Sequence, residues 1–127
     1  MQIKSLDHFV LTTKNLRECL HFYRDVLDMR VAEKDGRYAL FFGASKVNIH
    51  QNPAEFLPAA QNPQYGSLDF CLVVEETVET LAQELREKGV AIELGPVGRH
   101  GARGAMQSIY LRDPDGNLVE LCHYENE

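Results

Sequence analysis

Apolar and polar positions alternate over Leu6–Thr12 (LDHFVLT), the period-2 signature of a strand with one covered face. The period then changes. From Asn15, a residue suited to capping a helix, Leu16, Leu20, Tyr23 and Leu27 recur at three- and four-residue spacing, which predicts a helix to about Leu27. Short strands are expected at Met29–Glu33, Arg37–Phe42 and Lys46–Gln51, with Asp35-Gly36 as the hairpin turn between the first two. Pro53, Pro58 and Pro63, with Asn52, Asn62 and Gly66, block both helix and strand and mark a linker over 52–65. The pattern then restarts. Ser67–Val74 reads as a strand, and Thr77 caps a helix through Lys88 that carries Val78, Leu81 and Leu85 on one face and stops at Gly89. Strands follow at about Val90–Leu94, Gln107–Leu111 and Asn117–Tyr124, the last two joined by the turn Asp113-Pro114-Asp115-Gly116-Asn117.

The order β-α-β-β-β therefore occurs twice, at about 3–51 and 66–125, which predicts an α+β domain of two βαβββ modules. An offset of 61 maps Phe9 to Phe70, Leu11 to Leu72, Leu20 to Leu81 and His8 to Asp69. Near the end an offset of 70 maps Phe41 to Leu111, Ile49 to Val119 and His50 to Glu120. The nine extra residues fall in the glycine-rich segment Gly95–Gly104, which is expected to be a loop and which holds Arg99, His100 and Arg103.

Strand alternation sorts these positions by face. Phe9 and Leu11, Phe70 and Leu72, Val47 and Ile49, and Val119 and Leu121 form the apolar faces. His8, His50, Asp69 and Glu120 lie on the opposite faces, and a pseudo-twofold pairing of the modules would gather all four. Two imidazoles and two carboxylates form a donor set for one divalent ion, with Zn, Ni, Fe, Mn and Co all compatible. For any one of the four, solvent exposure is the simpler explanation; the symmetric placement of all four is what favours a metal. His123 alternates away from Glu120 and His21 is mid-helix, so both are expected outside the site.

Composition narrows the partners. The 127 residues carry 13 Lys and Arg against 19 Asp and Glu, a net charge of −6 that disfavours nucleic acid and anionic membranes as partners. No stretch approaches the roughly 20 apolar residues of a membrane span, and the first residues lack the basic and apolar runs of an export signal. Cys19, Cys71 and Cys122 are odd in number and sit among apolar residues, so they are expected to be core thiols in a reducing cytoplasm.

The runs LDHFVL, FYRDVLDM and RDPDGNLVEL together resemble the vicinal oxygen chelate superfamily, which holds glyoxalase I, extradiol dioxygenases and the fosfomycin and bleomycin resistance proteins. The resemblance covers nearly the whole chain and is nearest to short glyoxalase-domain proteins with a G-P-V-x-R-x-G-A-x-G segment, here Gly95–Gly104. It implies two βαβββ modules paired into a cupped mixed β-sheet around a divalent metal held by His8, His50, Asp69 and Glu120. It also implies a small substrate chelated through vicinal oxygens, and Glu120, or Asp69, moving a proton as catalytic base. Arg99, Arg103, His100 and Tyr110 are the expected substrate-binding residues. His8 and Glu120 match the family's first and last ligands; the second is His50 rather than glutamate and the third Asp69 rather than histidine, a departure from the glyoxalase I order. A glyoxalase-like lyase or isomerase is the leading expectation. An Fe(II) extradiol-type dioxygenase and a non-enzymatic drug- or metabolite-sequestering protein are the alternatives. By analogy with such proteins, a homodimer is expected.

Overall fold

The computed structural model describes residues 1–125, and it divides into two compact units, Met1–Ser67 and Leu68 onward. Each builds one four-stranded mixed sheet.

In the first unit, β1 (His8–Thr12) is followed by α1 (Leu16–Leu20), a π-helical stretch (His21–Val26), β2 (Arg30–Lys34), β3 (Arg37–Phe42) and β4 (Ser45–His50). The sheet order is β1-β4-β3-β2, with β1 parallel to β4 and the remaining pairs antiparallel. Asn15 caps the helix by accepting from the Glu18 backbone N–H at 3.1 Å, as its position predicts. The buried stripe, however, is Cys19, Phe22, Tyr23 and Val26, displaced from the expected Leu16, Leu20, Tyr23 and Leu27. The buried residues keep helical spacing, and Leu16, Leu20 and Leu27 lie half-buried at the stripe's margin; the Leu27 N–H reaches the Phe22 carbonyl five residues back at 3.0 Å, a π turn. Leu11, Leu40, Val47 and Ile49 supply the sheet's buried face.

The second unit runs β5 (Asp69–Val73), α2 (Val78–Glu87), β6 (Leu94–Gly101), β7 (Gly104–Arg112) and β8 (Leu118–His123), with sheet order β5-β8-β7-β6. Thr77 caps α2, and Val78, Leu81, Ala82 and Leu85 are buried along with Ile109, Leu111, Val119 and Leu121. The turn between β7 and β8 is fixed by buried polar groups. Asp113 accepts from the backbone N–H of Asp115 and Asn117 and from the Asn117 side chain, all within 2.9 Å. The Asn117 carbonyl oxygen in turn accepts from the Leu68 N–H at 2.9 Å. This aligns the start of β5 with β8 and places Asp69 opposite Leu118.

Two expectations are corrected. The segment Gly95–Gly104 is no loop, and the expected strand at Val90–Leu94 lies too early. Leu94–Gly101 and Gly104–Arg112 form a β-hairpin that turns at Ala102-Arg103. The glycines serve close packing rather than disorder. A Cβ on Gly101 would collide with the Tyr124 hydroxyl and the Met106 sulfur, and one on Gly95 would collide with the Ser108 carbonyl.

Candidate metal and substrate site

In each unit one sheet face is buried by apolar side chains, and the other carries the polar candidates. On the second unit this polar face presents Asp69 and Cys71 from β5, Glu120 and Cys122 from β8, Ser108 and Tyr110 from β7, and Arg99 from β6, as the strand registers dictate. Tyr110 pairs directly with Glu120, and Glu120 pairs with Cys71. The Ser108 hydroxyl, fully buried, donates to Glu120 Oε2 at 2.7 Å and holds the half-buried carboxylate in place. Arg99 Nε donates to the Tyr110 hydroxyl at 3.0 Å. The structure thus brings Asp69, Glu120, Tyr110 and Arg99 onto one surface.

Arg99 owes its face to a bulge. Leu94 pairs with Tyr110 and Val97 with Ser108, so three residue steps on β6 match two on β7. Unbroken alternation from Leu94 would turn His100 toward Glu120 and Arg99 away. The bulge at Gly95-Pro96 exchanges them, and His100, paired with Ala105, lies on the face opposite Glu120. Arg103 sits in the hairpin turn, its guanidinium 4.5 Å from the Tyr124 ring centre and its backbone N–H donating to the Tyr124 hydroxyl.

On the first unit, His8 stands at the start of β1 on the polar face. Its Nδ1 lies 2.7 Å from Asp7 Oδ2, an acceptor, so Nδ1 donates to it and Nε2 is the nitrogen left to face a ligand. His50 is elsewhere. His8 is the register partner of Lys46, whereas His50 is the partner of Thr12, four residues further along. At ~3.3 Å per residue the two histidines are about 13 Å apart along the strands, too far to share one ion within this unit.

The repeat shows why His50 looked equivalent to Glu120. Cys71 pairs with Glu120, and its counterpart Val10 pairs with Asn48. The second unit's Asp69–Glu120 diagonal therefore matches His8–Asn48. The offset in the last strand is 72, not 70, and Asn48 is the residue equivalent to Glu120. His50 instead corresponds to Cys122, and it is 8% exposed with its ring edge-on to Phe56 at 5.2 Å. Asn48 is the site position that sequence patterning missed; the β1–β4 register is the signal that finds it.

Each unit thus offers one diagonal of donors, an imidazole with an amide and two carboxylates, of the kind a divalent cation takes. Among the described residues no three His, Cys, Asp or Glu side chains come close enough together to hold an ion. Cys71, expected in the core, is exposed on the polar face, while Cys19 and Cys122 are buried. Partial burial, and then Cys122 and Glu120 beside it, push the Cys71 thiol well above the ordinary cysteine range, so it stays protonated. Tyr124 packs with Met106 and Cys122 as a small apolar cluster below Arg103.

Residues 5–121 match the family described as the Glyoxalase/Bleomycin resistance protein/Dioxygenase superfamily. A virulence protein of Salmonella typhimurium is 43% identical over 98% of this chain and 87% of its own length. A glyoxalase domain-containing protein of Mycosarcoma maydis is 41% identical over 99% of this chain and 72% of its own. Among solved structures, an integron cassette protein from the mobile metagenome of V. cholerae aligns with a TM-score of 0.93 at 44% identity, covering 98% of both chains.

Proposed function

Because this chain belongs to the Glyoxalase/Bleomycin resistance protein/Dioxygenase superfamily, we propose that it is a divalent-metal-dependent, glyoxalase-like lyase or isomerase acting on a small substrate chelated through vicinal oxygens. The observation that carries this reading is the matched pair of donor diagonals, His8–Asn48 and Asp69–Glu120, each with an orienting partner, Asp7 or Ser108. We assign His8, Asp69 and Glu120 as ligands, with the Asn48 amide oxygen as the weaker fourth donor. His50 leaves the ligand set.

When bound, the metal supplies a Lewis acid that takes up negative charge on the substrate's two oxygens. The rest falls to the chain. Glu120 has one oxygen held by Ser108 and a second left to move a proton between adjacent carbons. The Arg99–Tyr110 pair, on the same face, offers a cation and a hydroxyl to an anionic substrate group. Asp7 fixes the His8 tautomer.

Removing His50 weakens the dioxygenase reading. A facial triad for Fe(II) needs two histidines and one carboxylate, and one histidine with two carboxylates does not supply it. Cys19, Cys71 and Cys122, none of them in a disulfide among the described residues, favour a reducing compartment, the cytoplasm. The net charge of −6 argues against nucleic-acid partners, and no described helix is long and apolar enough to cross a membrane. The edge strands β1 and β5, with Val10 and Val73 exposed, favour a homodimer that covers them.

The test reconstitutes metal-free protein with Zn, Ni, Co, Mn or Fe(II) in turn. Oxygen-independent exchange of the proton α to the carbonyl of an α-hydroxyketone, followed by NMR in deuterium oxide, is the expected result. Oxygen uptake with catechols under Fe(II) alone would replace this reading with a dioxygenase. Tight ligand binding by metal-stripped protein without turnover would replace it with a sequestering protein.

A further inference from the structure

The polar face of the first sheet is ordered in three rows across the strands. Register places Arg30, Phe41 and Lys46 in one row and Ala32, Ala39 and Asn48 in the next. Lys34 and Arg37 pair in the third, where alternation along β4 also puts His50. The middle row is nearly bare, because two facing alanines leave no side chain above the sheet. A cavity of about 520 Å³ opens there, within the size of small-molecule pockets. Phe41 walls one side, and Phe56, brought in by the segment after β4, walls the other.

The charge around this hollow runs against the rest of the chain. In a protein of net charge −6, Arg30, Lys34, Arg37 and Lys46 share one face of one small sheet. The Arg37 guanidinium lies 4.1 Å from the Phe56 ring centre, and the Lys46 ammonium lies 5.9 Å from that of Phe41. Among the described residues none of Lys34, Arg37 and Lys46 has a carboxylate at ion-pair distance. Of the acids at the rim, Glu33 is engaged by the Gly36 N–H at 2.7 Å, and Asp35 lies in the hairpin turn. His50 lines the hollow at 8% exposure, with no protein hydrogen-bond partner for its ring among the described residues. No buried side-chain nitrogen or oxygen among the described residues lacks a partner, so the His50 ring meets solvent at the hollow, and an imidazole there beside cations without counterions suits an anionic ligand.

We propose that this hollow is a binding site for an organic anion that carries a flat apolar group. The acid group lies over Ala32 and Ala39, between Lys46 and Arg37, with His50 donating or accepting at its edge. The flat group packs between Phe41 and Phe56. Carboxylate and phosphate satisfy the same donors, so the shared chemistry is a planar or tetrahedral oxyanion on an aromatic or similarly flat body. The site lies wholly within the first unit and uses none of His8, Asp69 or Glu120; it shares only Asn48 with the proposed donor set.

The experiment titrates the intact ¹⁵N-labelled protein with 2-naphthoate, phenyl phosphate, inorganic phosphate and the neutral 2-naphthalenemethanol, following amide shifts. Naphthoate or phenyl phosphate should saturate and move the Ala32, Ala39 and Asn48 amides, with the stronger of the two naming the oxyanion. The neutral analogue and inorganic phosphate should bind about tenfold or more weakly, each lacking half of the recognition. The double variant Arg37→Gln, Lys46→Gln should weaken the acids by about tenfold or more while its spectrum stays folded. Ala39→Leu, which fills the hollow, should abolish binding, and Glu79→Gln, at an exposed position of α2 in the other unit, should leave it unchanged. Absence of saturable binding by either aromatic acid would overturn the proposal. So would equal binding of the neutral analogue, or unchanged affinity in both the charge variant and Ala39→Leu.

Discussion

At the scale of single residues, two side chains do their work by holding others. Ser108 anchors Glu120 through a buried 2.7 Å hydrogen bond, and Asp7 anchors His8 at the same distance. Partners that orient ligands are typically worth about 10–100-fold in metal affinity. Ser108→Ala and Asp7→Ala should each weaken metal binding by roughly tenfold in a competition titration with a chelator, and the far-UV spectrum should be unchanged. A loss of affinity confined to Ser108→Ala would leave His8 outside the ligand set. Cys71 gives a prediction in the opposite sense. Its raised pKa keeps the thiol protonated despite surface exposure, and the thiolate is the nucleophile. Cys71 should therefore react with iodoacetamide at pH 8 more slowly than a free cysteine peptide, gaining rate only as pH rises further. Labelling at the peptide rate would contradict this.

At the scale of elements, what patterning could read and what it missed have identifiable causes. Both caps, both amphipathic helices and the two β-α-β-β-β orders follow from local chemistry, and the structure carries all of them. His8, Asp69 and Glu120 are legible as polar breaks in apolar strands. The failures lie where a non-local event shifts the count. The bulge at Gly95-Pro96 exchanges Arg99 and His100 between faces, and strand register alone separates Asn48 from His50. Neither can be found by alternation, because each changes the register from which alternation is counted. The turn at Asp113–Asn117 is testable on the same scale. Asn117→Ala removes a buried amide that serves Asp113 and the Leu68 N–H, and should cost roughly 2–3 kcal/mol in denaturant unfolding. Gly101→Ala, which drives a methyl into Tyr124 and Met106, should cost about 1–3 kcal/mol by the same measurement. Costs near zero would show that these contacts do not hold β5 and the β6–β7 hairpin.

At the scale of the whole molecule, the two units repeat one plan with different chemistry on their polar faces. The first bears cations and aromatic rings around a hollow floored by alanine; the second bears carboxylates, a tyrosine and an arginine. The proposed homodimer should give a single species of twice the 14.4 kDa chain mass in light scattering, and a monomer at micromolar concentration would contradict it. The central claim is the ligand set, and metal content tests it most directly. Wild type, Glu120→Ala and His50→Ala should be reconstituted side by side and analysed for bound ion. The account predicts close to one ion per chain in wild type and in His50→Ala, and almost none in Glu120→Ala. If His50→Ala empties the site as fully as Glu120→Ala, or wild type takes up no ion, the assignment of His8, Asp69 and Glu120 is wrong.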